Sequence, residues 1–158
     1  MISAVQRAHL PAILALNNAH QKETSFLTMA DLEALIGAAF TAWQVGDGAD
    51  AFLITFDEGA TYDSPNYRWF ADRYDRFVYI DRIVVADHAR GRGLARTLYE
   101  TLFDAAAESG RHIVGCEINK APPNPNSSAF HEKMGFEAVG EAHLTGANKT
   151  VGYHLKRV

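Results

Sequence analysis

The sequence contains a single cysteine among its 158 residues, so the chain cannot form an internal disulfide bond. That cysteine lies within the apolar run IVGCEI, which fits a protein kept in a reducing compartment. The sequence also lacks an apolar run of about eighteen residues and a basic-then-apolar leader at its start. We therefore expect a cytoplasmic protein with no membrane partner.

An excess of positive charge is missing as well. The 15 Lys and Arg residues are outnumbered by 19 Asp and Glu residues, which gives a formal net charge of -4. This balance argues against nucleic acid as a partner, because such binding needs a basic surface. There are no internal repeats or low-complexity tracts, and 47% of the residues are hydrophobic. Residues 1–158 are therefore predicted to form a single domain with its own core.

Two common nucleotide-binding fingerprints are absent. No G-K-[ST] triplet occurs, and the loop that comes nearest to G-x-G-x-x-G has Arg96 at its third glycine position. No group of His, Cys and acidic residues has the spacing of metal ligands, so we expect no metal site. Any anionic ligand must therefore be bound by a different local motif.

Hydrophobic periodicity predicts the order strand, two helices, hairpin, long aromatic connection, strand, helix, strand, helix and two final strands. The connection, 58–76, carries five aromatic residues and room for one helical turn. Strand, helix and strand in succession between Phe77 and Ile118 indicate one parallel crossover inside a mixed α/β sheet.

The segment HARGRGLAR joins the strand FVYIDRIVV to an amphipathic helix. Gly91 and Gly93 would let a ligand approach the main chain, and the free amides at a helix start attract anions. Arg90, Arg92 and Arg96 add positive charge at the same end of the helix. The segment therefore indicates a polyanion site, although a tight turn with solvated arginines is the alternative.

The stretch RGRGLA, from Arg90 to Ala95, resembles the [QR]-x-x-G-x-[GA] pyrophosphate loop of the GNAT superfamily of acyl-CoA-dependent N-acyltransferases. Downstream, NPNSSAFHEKMGF is similar to a second motif of that family, N-x-x-[AS]-x-x-[LF]-Y-x-x-x-G-F. The second match rests on Asn124, Ser127, Phe130, Gly135 and Phe136. The resemblance implies a mixed, mostly antiparallel sheet of about seven strands, with a central splayed parallel pair and about four helices.

The resemblance also implies that acetyl-CoA lies between the two splayed strands. The main chain of the first strand would pair with the pantetheine arm, as in β-augmentation, and the loop amides would hold the pyrophosphate. The residues implied to bind acetyl-CoA are Ile83, Val84, Val85, Arg90, Gly91, Arg92, Gly93, Leu94, Ala95, Asn124, Ser127 and Phe130. Asn124 is also a good helix N-cap whatever it binds.

Acetyl transfer to an amine needs a base for the amine and a proton for the departing thiolate. Where many family members have a proton-donating tyrosine this chain has His131, which is our candidate acid; an exposed histidine without a role is the alternative. Asp81 is our first candidate for the base, and Glu117 competes with it. By strand alternation Asp81 should share a face with Tyr79, Ile83 and Val85, and a salt bridge with Arg82 or another basic group is the alternative.

Acceptor choice in this family is set mainly by the connection between the first two helices. Glu23 in that connection could hold an ammonium group, and Trp69 could form a wall of the acceptor site. The acceptor is expected to be a small-molecule or peptide amine. The sequence does not decide whether the chain forms a homodimer. The predicted function is acetyl-CoA-dependent N-acetyl transfer. The competing hypothesis is a non-catalytic acyl-CoA-binding regulator, because the usual tyrosine is missing.

Overall fold

A computed structural model describes all residues, 1–158, and shows a seven-stranded sheet with the strand order β1-β2-β3-β4-β5-β7-β6. All neighbouring strands are antiparallel except β4 and β5, which are parallel. The predicted mixed sheet with one parallel pair is therefore confirmed. The strands are β1 (Ser3–Ala4), β2 (Thr41–Val45), β3 (Ala51–Asp57), β4 (Val78–Val85), β5 (Ile113–Ala121), β6 (Glu137–Leu144) and β7 (Lys149–Arg157).

Five α-helices accompany the sheet, one more than the sequence suggested: α1 (Leu10–Ala19), α2 (Met29–Ala38), α3 (Pro65–Ala71), α4 (Leu94–Glu108) and α5 (Pro125–Lys133). The additional helix is α3, in the aromatic connection where a single turn was expected. It begins where the Ser64 hydroxyl accepts a hydrogen bond from the Tyr67 amide, with Pro65 in the first turn. No helix is both long and apolar enough to cross a membrane.

Two hydrophobic clusters cover the two faces of the sheet. On one face, side chains of α1, α2 and α3 such as Ile13, Leu32 and Phe70 pack against β3 and β4. On the other, Leu98 and Leu102 of α4 pack against the opposite side of the same strands. Each central strand is covered on both faces, as the apolar character of β3 and β4 requires.

The parallel strands β4 and β5 pair over only two positions, Val78 with Val114 and Tyr79 with Gly115, and then diverge. Beyond these pairs, β4 stays bonded only to β3, up to Val85. The Ala86 amide donates to the Asp50 carbonyl on the β3 side. Because backbone groups alternate along a strand, the amides of Ile83 and Val85 point into the gap between β4 and β5.

A β-bulge interrupts β4 at Asp81. Arg82 pairs with Ile54 and Ile80 with Thr55, which leaves Asp81 as the extra residue. The bulge breaks the alternation, so the prediction that Asp81 shares a face with Ile83 and Val85 is wrong. Asp81 instead forms an ion pair with its neighbour Arg82.

Gly115 is the point where α3 packs most closely onto the sheet. A β-carbon at this position would lie 2.4 Å from Cε1 of Phe70, whereas the exposed face of α2 has nothing within 4 Å of a β-carbon at Gly37. We expect Gly115→Ala to lower the free energy of unfolding by about 1–3 kcal/mol, because Phe70 must move away. Urea denaturation measures this loss, and Gly37→Ala is the control that should lose nothing. Equal stability of the two variants would contradict the packing described.

Candidate functional site

A cleft of about 270 Å³ opens where β4 and β5 diverge. Seven of its lining residues belong to the predicted catalytic, cofactor and acceptor sets: Glu23, Asp81, Ile83, Glu117, Asn124, Ser127 and His131. They come from the α1–α2 connection, β4, β5 and α5, so the fold brings together residues that are far apart in sequence. The remaining lining residues are Thr24, Ile80, Arg82, Tyr99, Cys116, Ile118 and Asn119.

Glu117 is the carboxylate in this cleft that is suited to accept a proton. One of its oxygens accepts a hydrogen bond of 2.6 Å from the Tyr79 hydroxyl, across the base of the gap between β4 and β5. Burial, reinforced by the negative charge of Asp81, raises the pKa of Glu117 to about 7, against the opposing effect of the Tyr79 hydrogen bond. A carboxylate with this pKa can take up and release protons near neutral pH.

Asp81, our first candidate for the base, is held on both of its oxygens. Oδ2 lies 2.7 Å from Nε of Arg82, and Oδ1 accepts a hydrogen bond from the Tyr62 hydroxyl. Arg82 in turn donates to Asn17 of α1 and to the Ser25 hydroxyl, and so ties β4 to α1 and to the connection between α1 and α2. These contacts match the alternative, a salt bridge between Asp81 and Arg82, and leave Glu117 as the stronger candidate for the base.

His131 is buried, with only 6% of its surface exposed, so the alternative of an exposed histidine is wrong. Its Nδ1 lies 2.7 Å from the Ser127 carbonyl oxygen, and its Nε2 lies 2.8 Å from the Tyr99 hydroxyl. Burial lowers the pKa of His131 below its ordinary value, although the Ser127 carbonyl opposes this. The imidazole is therefore neutral in most molecules at pH 7.

Cys116 also lines the cleft, but its chemistry differs from that of a nucleophile. It is buried, and burial together with the negative charge of Glu117 raises the pKa of the thiol well above its ordinary value. The thiolate, which is the reactive form, is therefore scarce. The side chain serves as part of the hydrophobic core on the α4 side of the sheet.

The glycine loop before α4 has the geometry of an anion cradle. Gly91 and Gly93 have positive φ angles of 82° and 69°, and a β-carbon on either would project into open space. The first bond within α4 runs from the Thr97 amide to the Gly93 carbonyl, so the amides before Thr97 are left without a helical acceptor. Phe130 of α5 faces this loop across a shallow depression.

The three arginines of this region are paired with acidic residues, which the sequence did not predict. Arg92 lies 2.8 Å from Asp50, at the end of the β2–β3 turn, and so anchors the loop to the sheet. Arg90 lies 3.2 Å from Asp87, and Arg96 pairs with Glu100 one turn further along α4. The cradle therefore relies on main-chain amides, with the arginines shaping the loop and remaining largely exposed.

Trp69 is not part of the cleft. Its ring stacks on Tyr153 with centroids 4.4 Å apart, and the Arg73 guanidinium covers the ring at 4.1 Å. Both faces are occupied, so the geometry does not favour the predicted acceptor contact. Conversely, the sequence did not single out Tyr79 and Tyr99, which bond to Glu117 and His131.

Comparison with known proteins places the chain among acyltransferases. The sequence model of the acetyltransferase (GNAT) family matches residues 6–136. A phosphinothricin N-acetyltransferase of Streptomyces coelicolor is 39% identical over 64 residues, which span 40% of this chain and 36% of that relative. The chain thus matches little more than a third of the length of that relative.

Solved structures show the same fold over the whole chain. Ard1 from Thermoplasma volcanium superposes with a TM-score of 0.77 at 13% identity, covering 100% of this chain and 97% of that one. An aminoglycoside 6'-N-acetyltransferase complexed with coenzyme A gives a TM-score of 0.72 at 13% identity, covering 99% and 97%. These likenesses confirm the fold, and the sequence match establishes that the chain belongs to the acetyltransferase (GNAT) family.

Proposed function

We propose that this chain is an acetyl-CoA-dependent N-acetyltransferase that passes the acetyl group directly from the thioester to a primary amine, with Glu117 as the base. The observation that carries the proposal is the position of Glu117. A carboxylate with a pKa of about 7 lines the gap between β4 and β5, into which the β4 amides also point. Membership of the acetyltransferase family and the fold shared with a coenzyme A complex support the same conclusion.

The donor side of the cleft fits acetyl-CoA. The amides of Ile83 and Val85 face the gap and are available to pair with the amide groups of the pantetheine arm. The cradle formed by Gly91 and Gly93 at the start of α4 is suited to the pyrophosphate, since nothing occupies the space above either glycine. Phe130 lies on the far side of that loop and gives the adenosine end an apolar neighbour.

The acceptor side supplies the base. An alkyl amine with a pKa near 10 is protonated at neutral pH and must lose a proton before or during attack. The Glu117 carboxylate would take this proton, directly or through water, as the amine nitrogen bonds to the thioester carbon. The carbon–sulfur bond then breaks, and its electron pair leaves on sulfur as the CoA thiolate. The neighbouring acid Asp81 is ion-paired with Arg82, so it serves to hold β4 and the acceptor connection in place.

The acceptor is proposed to be a small-molecule or peptide amine. Glu23, which is exposed at the mouth of the cleft, would attract an ammonium group. The test is a panel of free L-amino acids, phosphinothricin, an aminoglycoside and short peptides with free N-termini, assayed for CoA release. Turnover of at least one amine supports the proposal, whereas tight CoA binding without turnover on any amine would favour the acyl-CoA-binding regulator.

Gly93→Glu should abolish CoA binding without unfolding the protein. The new carboxylate would occupy the space assigned to the pyrophosphate and repel it, although the positive φ at this position adds some backbone strain. Titration calorimetry with CoA measures the loss, and circular dichroism checks the fold. Gly146→Glu, which places the same charge at another open glycine, is the control and should bind normally. If folded Gly93→Glu binds CoA with unchanged affinity, the loop is not part of the CoA-binding site.

Glu117→Gln should lower kcat by about 10²–10⁴-fold, the usual contribution of a general base. In the wild type the ionised form of Glu117 is the active one, so Glu117 contributes a loss of kcat as the pH drops below about 7. The variant should lose this dependence, as measured by kcat against pH with an acceptor from the panel. Glu137→Gln, at an exposed position of β6, is the control. If kcat of Glu117→Gln still falls as the pH drops below about 7, another group must cause that pH dependence.

Cys116→Ala should retain most of the wild-type kcat, because direct transfer needs no acyl-enzyme and the Cys116 thiol is kept protonated by its surroundings. Mass spectrometry of enzyme quenched during turnover should find no acetyl group on this residue. An acetylated Cys116 together with an inactive alanine variant would replace direct transfer by a two-step mechanism.

A further inference from the structure

The hydrogen bonds of His131 fix where its protons lie. The Ser127 carbonyl oxygen can only accept, so Nδ1, at 2.7 Å from it, carries a proton. In the neutral imidazole Nε2 then has no proton and accepts from the Tyr99 hydroxyl at 2.8 Å. Neither nitrogen of His131 has an N–H directed freely into the cleft. Neutral His131 therefore cannot act as a proton donor by itself.

Protonation of His131 reverses one of these hydrogen bonds. Both nitrogens of the imidazolium are donors, so Nε2–H must donate to the Tyr99 oxygen. The Tyr99 hydroxyl, whose only hydrogen-bond partner is His131, then has its own proton free to donate elsewhere. Tyr99 is buried, but both Tyr99 and its partner His131 line the same cleft as Glu117. Protonated His131 thus makes Tyr99 a donor to a molecule bound in the cleft.

We propose that His131 and Tyr99 act as one proton-donating pair, in which the Tyr99 hydroxyl delivers the proton to the CoA thiolate and His131 acts through it. The inference rests on the proposed function. When the carbon–sulfur bond breaks, the thiolate sulfur takes the proton of the Tyr99 hydroxyl, and the Tyr99 oxygen takes the Nε2 proton of His131. Tyr99 ends neutral, His131 ends as neutral imidazole, and a proton from water restores the imidazolium.

The residues around Tyr99 and His131 favour a proton relay through the pair and disfavour a mechanism that leaves Tyr99 as a free tyrosinate. Cys116 of β5 packs in the same hydrophobic cluster as Tyr99, and Glu117 is near enough for its charge to act on Tyr99, as His154 of β7 acts on His131. Phe130 and Phe136 pack around both rings. Burial and the neighbouring Cys116 and Glu117 hold the pKa of Tyr99 well above its ordinary value, so a lasting tyrosinate is disfavoured. The relay avoids a tyrosinate, because the Tyr99 oxygen receives a proton from His131 as the hydroxyl gives its own proton to the thiolate.

The sign of the pH effect follows from His131. Burial, with a smaller effect of His154, lowers its pKa, so the imidazolium is a minority form at neutral pH. The donor-competent fraction falls further as the pH rises through that lowered pKa, whereas the ionised fraction of Glu117 rises through about 7. The product of the two fractions is bell-shaped. Without the pair, only the rise due to Glu117 and to the acceptor amine should remain.

The decisive variant is Tyr99→Phe, which removes the hydroxyl and keeps the ring. With the best acceptor of the panel, kcat should fall by about 10²-fold, the lower end of general-acid effects, and KM for acetyl-CoA should change little. The matched control is Tyr67→Phe, which removes a buried hydroxyl bonded to the Asp57 carbonyl outside the cleft, and its kcat should be normal. Thermal unfolding of both variants checks that they fold.

Two further readouts separate a relay from a purely structural hydrogen bond. The kcat of the wild type in H₂O–D₂O mixtures should curve with deuterium content, because two protons move, and the curvature should disappear in Tyr99→Phe. The double variant Tyr99→Phe/His131→Phe should be no slower than the slower single variant, since groups that act as a unit are not additive.

Three outcomes would overturn the inference. A normal kcat in folded Tyr99→Phe, with His131→Phe slow, would assign proton donation to the histidine alone. Normal rates in both variants would mean that the thiolate leaves without assistance. A wild-type chain that binds CoA and acetylates no amine would overturn the proposed function itself, and the role of the pair with it. The first two outcomes require an active wild type, so the two kinds of failure are distinguishable.

Discussion

The divergence of β4 and β5 after only two paired positions is the constraint on which the site depends. A parallel pair that stops pairing leaves backbone donors and acceptors exposed inside the molecule, and such groups are costly unless a partner or water satisfies them. The antiparallel strands on either side, β3 and β7, continue past this point and hold the gap open. A long ligand with amide groups of its own is the natural partner for this edge of β4.

Two carboxylates lie near each other in this gap, and they have different hydrogen-bond partners. Asp81 enters the cleft from the bulge in β4 and forms an ion pair with Arg82, which also donates to Asn17 of α1. Glu117 enters from β5, where its only side-chain hydrogen bond comes from Tyr79. Burial, reinforced by the negative charge of Asp81, raises the pKa of Glu117 to about 7. One carboxylate thus holds the structure together while the other can exchange protons.

The sequence predicted the parts that depend on local pattern. The loop with Gly91 and Gly93 and the Asn124 cap of α5 are short-range features, and the structure has them as expected. The errors arose where tertiary structure overrides local pattern. The bulge at Asp81 depends on pairing with β3, so alternation alone assigned the wrong face. The contact between Tyr99 and His131 joins residues 32 positions apart, and in sequence Tyr99 looks like an ordinary core residue of α4.

If the open edge of β4 and the glycine loop together bind the CoA arm, amide hydrogen exchange, followed residue by residue with and without coenzyme A, should show it. Coenzyme A should slow exchange at Ile83 and Val85 and at the amides from Gly91 to Ala95. The amides of β6, at the far edge of the sheet, should not change. Exchange at Ile83 and Val85 that stays unchanged with saturating coenzyme A would contradict this binding mode.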